Sequence, residues 1–218
     1  MNESTLRQRL ADAATRSVRL GLNQGSSGNL SLRCGAGFLI TPSGLPTDGR
    51  APGEMVFVDQ DGQPEGDLKP SSEWRFHRDI LRTRPEFGAV VHAHSPYAVS
   101  LACLRRGLPA FHYMVAVAGG RDIRCADYAT FGSQTLSDHA LAALEGRKAC
   151  LLANHGLLAA GRDLDEALHV ALEVEALCGQ FWRASLLGEP VLLSDAEMDE
   201  VLERFRSYGP RAARSSAG

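Results

Sequence analysis

His92 and His94 stand two residues apart at the end of the apolar run Ala89-Val90-Val91-His92-Ala93-His94. Along a strand successive side chains point to opposite faces, so residues i and i+2 share one face and two rings at that spacing converge on a single ion. A helix would splay them by about 200°. The competing reading is a half-buried strand whose histidines are satisfied by hydrogen bonds. A catalytic zinc site takes three protein ligands and keeps one position open, so the pair needs a third donor. Of the seven histidines, His77, His139 and His169 fall on predicted helices and His112 precedes Tyr113, which makes each more simply a surface or core residue. His155 differs, because it ends the buried run of residues 149–153 at a glycine, where a side chain can project from the rim of a sheet. Imidazole ligands suit zinc best among common intracellular ions, without excluding cobalt or manganese.

Glu73 is the candidate acid/base, in the first turn of a helix expected to begin at Ser71-Ser72, where the positive end of the dipole favours a carboxylate. A favourable charge at a helix start is the plainer explanation. The Ser71 and Ser72 hydroxyls and the unpaired amides beside them suit an anion such as a phosphate. Gly25-Ser26-Ser27-Gly28-Asn29 and Thr41-Pro42-Ser43-Gly44 are two further anion-friendly stretches, although each alone is a turn. Tyr113 and Tyr208 are either proton donors or half-buried aromatics.

The elements that must hold these residues follow from periodicity. An amphipathic helix with Ser4 as N-cap runs to Gly21, a hairpin joins residues 29–33 to 38–41, and residues 55–59 form another strand. A helix from Pro70 to Arg84 with a capping serine is stopped by Pro85. Residues 89–92 and 149–153 read as buried strands, with helices over 95–104 and 133–144 and a strand at 157–160. Two helices, each with a capping-box pair (Asp163 with Glu166, Ser194 with Glu197), close the chain. About six helices interleaved with seven or more strands predict an α/β fold, a mixed sheet covered by helices. The 218 residues, 44% of them hydrophobic, suffice for a single domain over residues 1–209, with 210–218 expected to fray. A net charge of −3 without a basic field argues against nucleic acid. No apolar stretch is long enough for a membrane and the N-terminus lacks a secretory pattern, so a cytoplasmic protein is expected. Cys34, Cys103, Cys125, Cys150 and Cys178 read as buried hydrophobes, with no disulfide framework or thiolate metal site.

Taken together, the segments Asn23-Gln24-Gly25, Ser27-Gly28-Asn29, Thr41-Pro42-Ser43-Gly44, Pro70-Ser71-Ser72-Glu73-Trp74-Arg75-Phe76-His77, Val91-His92-Ala93-His94, His112-Tyr113-Met114, Tyr128-Ala129-Thr130-Phe131-Gly132 and Asn154-His155-Gly156-Leu157 closely resemble class II L-fuculose-phosphate aldolases of the aldolase/adducin family. The likeness runs from about residue 5 to Gly209. It implies a three-layer αβα fold with a mostly antiparallel sheet, and a homotetramer with active sites at subunit interfaces. It also implies His92, His94 and His155 as zinc ligands and Glu73 as acid/base. Ser26, Gly28, Asn29, Ser43, Gly44, Ser71 and Ser72 would hold the substrate phosphate, Tyr113 would reach a neighbouring subunit's site, and Phe131 and Tyr208 would line the aldehyde pocket. Two positions depart from the family pattern: Ala93, where asparagine can occur, and Asp127, where proline is usual.

The activity implied is reversible cleavage of a ketose 1-phosphate, L-fuculose 1-phosphate or similar, to dihydroxyacetone phosphate and a small aldehyde such as L-lactaldehyde. The negative charge that develops on two adjacent oxygens calls for a Lewis acid. The Schiff-base alternative needs a buried lysine, and the two lysines, Lys69 and Lys148, have no apolar pocket by their neighbours. The same scaffold would also suit an aldolase for 5-deoxyribulose or 5-methylthioribulose 1-phosphate. More remote readings are a phosphopentose epimerase, a dehydratase, or a non-enzymatic adducin-like module.

Overall fold

The fold is that of a computed structural model in which residues 2–207 are described. Tyr208 and the tail expected to fray lie outside the described residues. Helix α1 (Glu3–Arg19) is capped by Asn2, whose side-chain oxygen accepts the Thr5 amide at 2.9 Å, so the cap falls two residues before the expected Ser4. The helix gives way at Leu20 and Gly21, the latter at a φ of 75° that favours glycine. Strands β1 (Asn29–Cys34) and β2 (Gly37–Ile40) form the expected hairpin, and β3 (Val56–Val58) extends it. Then come α2 (Trp74–Thr83), β4 (Ala89–Ala93), α3 (Pro96–Cys103), a 3-10 helix (Tyr113–Ala118), β5 (Cys125–Ala126) and α4 (Gln134–Ala143). The hairpin of β6 (Ala149–Leu152) and β7 (Gly156–Gly161) precedes α5 (Leu164–Leu187) and α6 (Asp195–Ser207).

The seven strands make one sheet in the order β3-β2-β1-β4-β7-β6-β5, antiparallel throughout except for the β5–β6 pair. Alternation along β4 divides its side chains between the two faces. Ala89, Val91 and Ala93 pack with α1, α3, α5 and α6, while Val90 packs with Phe76 and Ile80 of α2 and Leu136 of α4. The result is the expected three-layer αβα architecture. Most of β4, β6 and β7 is fully buried, which explains why they read as near-continuous apolar runs.

Three further local expectations are corrected. The Asp163 carboxylate accepts the Glu166 amide, but the Glu166 carboxylate turns to the Arg162 amide and to Lys148, so only half of that capping box forms. The box at Ser194 and Glu197 is complete. Cys103 is exposed and Cys125 half-buried, and only Cys34, Cys150 and Cys178 are buried. The third correction concerns the start of α2 and bears on the site. Among the described residues no helix is long and apolar enough to cross a membrane.

Candidate metal centre and active site

The chemistry-bearing residues gather at one end of the sheet, and strand register explains why. Asn29 at the start of β1 is paired with His92 near the end of β4, and Ala93 is paired with Leu157, two residues past His155. That pairing sets the β6–β7 turn beside His94. Gly156 is required there, because a Cβ would lie 2.4 Å from the Ala93 carbonyl oxygen. The three imidazoles stand edge to face, with ring centroids 4.7 to 4.9 Å apart. The Nε2 atoms of His92 and His94 are 3.0 Å apart. Glu73 completes the group: its Oε2 is 3.2 Å from His92 Nε2 and its Oε1 is 3.3 Å from His155 Nε2.

Glu73 arrives by a different route from the one expected. Helix α2 begins at Trp74, after the expected start, so Glu73 occupies the N-cap position, and no serine caps the helix. Ser71 Oγ accepts the Glu73 amide at 3.3 Å instead. Turned away from its own helix amides, the carboxylate enters the histidine cluster. Burial opposes its charge, but the His92 and His155 rings and a hydrogen bond from Asn29 outweigh that and hold the carboxyl below the usual carboxylate range. Burial also pushes His94 and His155 down to about 4, helped by His92 and opposed by Glu73, so both rings are neutral lone-pair donors near pH 7.

The donor set fits a divalent metal ion. Ligand atoms of Glu73, His92, His94 and His155 all lie within 4.8 Å of one another. His92 Nδ1 lies 2.9 Å from the Leu157 carbonyl oxygen, to which it must donate, and this leaves Nε2 unprotonated and aimed at the cluster. Glu73 Oε1, buried, has no hydrogen-bond partner. A cation among these atoms would satisfy that oxygen, and three imidazoles with a carboxylate suit zinc and its neighbours.

A cavity of about 330 Å³ opens beside the cluster. Ser26, Gly28, Asn29, Ser43, Gly44, Ser71, Ser72, Glu73, His94, Phe131 and His155 line it, so the residues singled out from three separated loops do share one space. Phe131 sits there 65% exposed. Ser27, Pro42, Tyr128, Ala129 and Asn154 line it too and were not singled out as site residues; Tyr128 and Ala129 lie just before Phe131 in the chain, and Asn154 precedes His155. Tyr113 does not line this cavity: it lies in the 3-10 helix, half exposed, against α5 and α6.

Two residues that sequence reasoning left aside brace the cluster. Asn23 Oδ1 accepts the His94 amide at 3.2 Å, and a Cβ on Gly28 would come within 2.0 Å of the same Oδ1, so the loop carrying Gly28 is seated against the strand end by a residue without a side chain. His77, fully buried, lies 2.5 Å from Asn29 Oδ1 and 2.7 Å from Ser31 Oγ, and Asn29 in turn donates to Glu73 Oε2 at 3.0 Å. The alternation of Asn29 and Ser31 in β1, opposite the Glu73-x-x-x-His77 spacing of α2, is the sequence signal that would have found this chain.

Comparison with known proteins accords with this geometry. Residues 8–182 match the model of the class II aldolase and adducin N-terminal domain. A 5-methylthioribulose-1-phosphate/5-deoxyribulose-1-phosphate aldolase of Rhodospirillum rubrum is 58% identical over 95% of this chain and 94% of its own. An L-fuculose phosphate aldolase of Escherichia coli is 45% identical over 97% of this chain and 99% of its own. A solved structure of an L-fuculose 1-phosphate aldolase superposes with a TM-score of 0.91 at 42% identity, over 94% of this chain and 98% of that one. With its metal-binding donor set and three-layer fold, the chain belongs to the class II aldolase and adducin family and is one of its metal-dependent aldolases, a lyase.

Proposed function

We propose that the protein is a zinc-dependent aldolase that reversibly cleaves a ketose 1-phosphate to dihydroxyacetone phosphate and a small aldehyde. The observation that carries this reading is the convergence of His92, His94, His155 and Glu73 at the floor of a cavity walled by serine- and glycine-bearing loops. Zinc held by the three histidines would supply positive charge opposite the substrate oxygens that turn negative as the C3–C4 bond breaks. Glu73 would exchange the C3 proton. The loops bearing Ser26, Gly28, Asn29, Ser43, Gly44, Ser71 and Ser72 would hold the phosphate and fix the reacting half of the substrate, away from the bond that breaks. Phe131, with Tyr208, would line the aldehyde side, and Tyr113 of an adjacent subunit in a homotetramer would exchange the C4 hydroxyl proton. The lysines do not offer a rival route: Lys148 is paired with Glu166 at 2.8 Å, and neither lysine lines the cavity.

L-Fuculose 1-phosphate, yielding L-lactaldehyde, is one substrate of this description. The 58% identity with the R. rubrum protein named for 5-methylthioribulose and 5-deoxyribulose 1-phosphates favours those as a second reading, and they differ from the first only in the aldehyde half. Comparing kcat/KM across the three substrates, with dihydroxyacetone phosphate measured as product, ranks them. Failure to release dihydroxyacetone phosphate from any of them, or full activity after prolonged EDTA treatment, would sink the proposal.

A further inference from the structure

We propose that Ser31, His77 and Asn29 form a buried positioning relay that tethers Glu73 Oε2 through Asn29 and so orients the carboxylate that exchanges the substrate proton. The inference rests on the reading of Glu73 as acid/base and adds what holds it. The spacing is set by the elements. Two residues along a strand span about 6.8 Å and four along a helix about 6 Å, so Asn29 and Ser31 of β1 can meet Glu73 and His77 at the start of α2 rung by rung.

The direction of every link is dictated from one end. An ionised carboxylate only accepts, so Asn29 must present its NH₂ to Glu73 Oε2, 3.0 Å away. Its carbonyl oxygen then faces His77 Nε2 at 2.5 Å, which must carry the proton. A neutral imidazole has one donor and one acceptor, so His77 Nδ1 accepts from the Ser31 hydroxyl at 2.7 Å. Ser31 and His77 are fully buried and Asn29 nearly so, leaving little water to substitute for any link. In the synthetic direction the C3–H bond of dihydroxyacetone phosphate breaks, an O–H bond forms on the Glu73 carboxylate, and the electron pair stays with the substrate; in cleavage the same proton returns to C3. His77 touches no reacting atom and acts through Asn29.

Two measurements on the metal-loaded protein test the relay. Nitrogen-15 NMR of histidine-labelled enzyme should find His77 protonated on Nε2 and bare on Nδ1; the opposite tautomer overturns the relay whatever the variants do. Solvent deuterium exchange into dihydroxyacetone phosphate reads the Glu73 step by itself. His77→Leu should slow exchange and kcat by about 10–100-fold, the usual cost of losing such a supporting partner, with bound zinc unchanged and KM little altered. His77→Gln, which can still donate to Asn29, should restore most of the loss, and Ser31→Ala should fall between. Exchange at the wild-type rate in His77→Leu, or equal losses in the Leu and Gln variants, overturns the proposal. If His77→Leu does not fold, Ser31→Ala and the tautomer decide. Glu73→Gln serves as control: exchange that survives in it refutes the acid/base reading itself, separately from the relay.

Discussion

At the scale of single residues, His155 and Glu73 share a cluster, and their proposed tasks are separable. His155→Ala removes one of three imidazoles and should lose both bound metal and cleavage, as measured by metal analysis and dihydroxyacetone phosphate release. Glu73→Gln keeps the ring set and should retain metal while kcat falls by roughly 10²–10⁴, the usual worth of a positioned acid/base. A Gln variant with normal turnover would refute the assignment. The histidines were legible in the sequence because strand periodicity and a terminal glycine place them. Asn23 and His77 were not, because what makes them matter is a partner far along the chain: His94 lies 71 residues from Asn23, and Asn29 lies 48 residues from His77. Glu73 was legible as a candidate but expected within the first turn of a helix from Pro70, whereas it stands at the N-cap of a helix that starts at Trp74, since local capping rules cannot weigh the pull of imidazoles brought in from other strands.

At the scale of elements, α3 links the corners that carry His94 and His155. Its N-terminus follows His94 directly, and the Glu175 carboxylate from α5 accepts the Ser95 hydroxyl at 2.7 Å and the Tyr97 and Ala98 amides at 2.9 and 2.8 Å. Beyond its C-terminal end, Asn154, at a φ of 55°, donates its amide to the Ala102 carbonyl at 2.8 Å and accepts from Arg105 Nε at 3.0 Å, immediately before His155. Glu175→Ala leaves those first-turn donors without their acceptor, and charged hydrogen bonds of this kind contribute about 1.5–3 kcal/mol. The variant should melt at lower temperature and bind zinc more weakly, as followed by thermal unfolding with and without chelator and by metal titration. Unchanged metal affinity would mean that α3 does not hold the His94 corner. Periodicity located α3 to within a residue or two, but Glu175 is 80 residues from Ser95 and only the packing of α5 on the sheet brings it there.

At the scale of the whole molecule, buried neutral histidines make stability depend on pH. Burial pushes His77 down to about 3, with His92 adding to the effect and Glu73 opposing it, and His94 and His155 lie at about 4, against 6.5 for an exposed ring. Because these folded-state values are depressed, the unfolded chain takes up protons first as pH falls below 6.5 while the folded state does not. Metal-free protein should therefore hold its stability above pH 6.5 and lose it from there towards pH 4, by up to about 1.4 kcal/mol per pH unit for each ring. Equal melting temperatures at pH 7 and pH 5 would contradict this. Tyr113 poses the assembly question, since it lies half exposed and away from its own chain's cavity. If it serves a neighbouring subunit, mixing inactive Tyr113→Phe and Glu73→Gln chains should restore measurable cleavage, because some sites would draw an intact residue from each. No recovery after subunit exchange, or a monomer by light scattering, would count against the tetramer. Alternation, apolar runs and loop chemistry are local properties, so the unfolded string already marks the strands, a sheet covered by helices, three candidate metal-ligating histidines and the anion-friendly loops. Which oxygen of Glu73 is tethered, which residues brace the ligands and how three distant loops come to wall one cavity depend on strand register and helix packing. Those are contacts between residues many tens of positions apart, and they exist only once the sheet has formed.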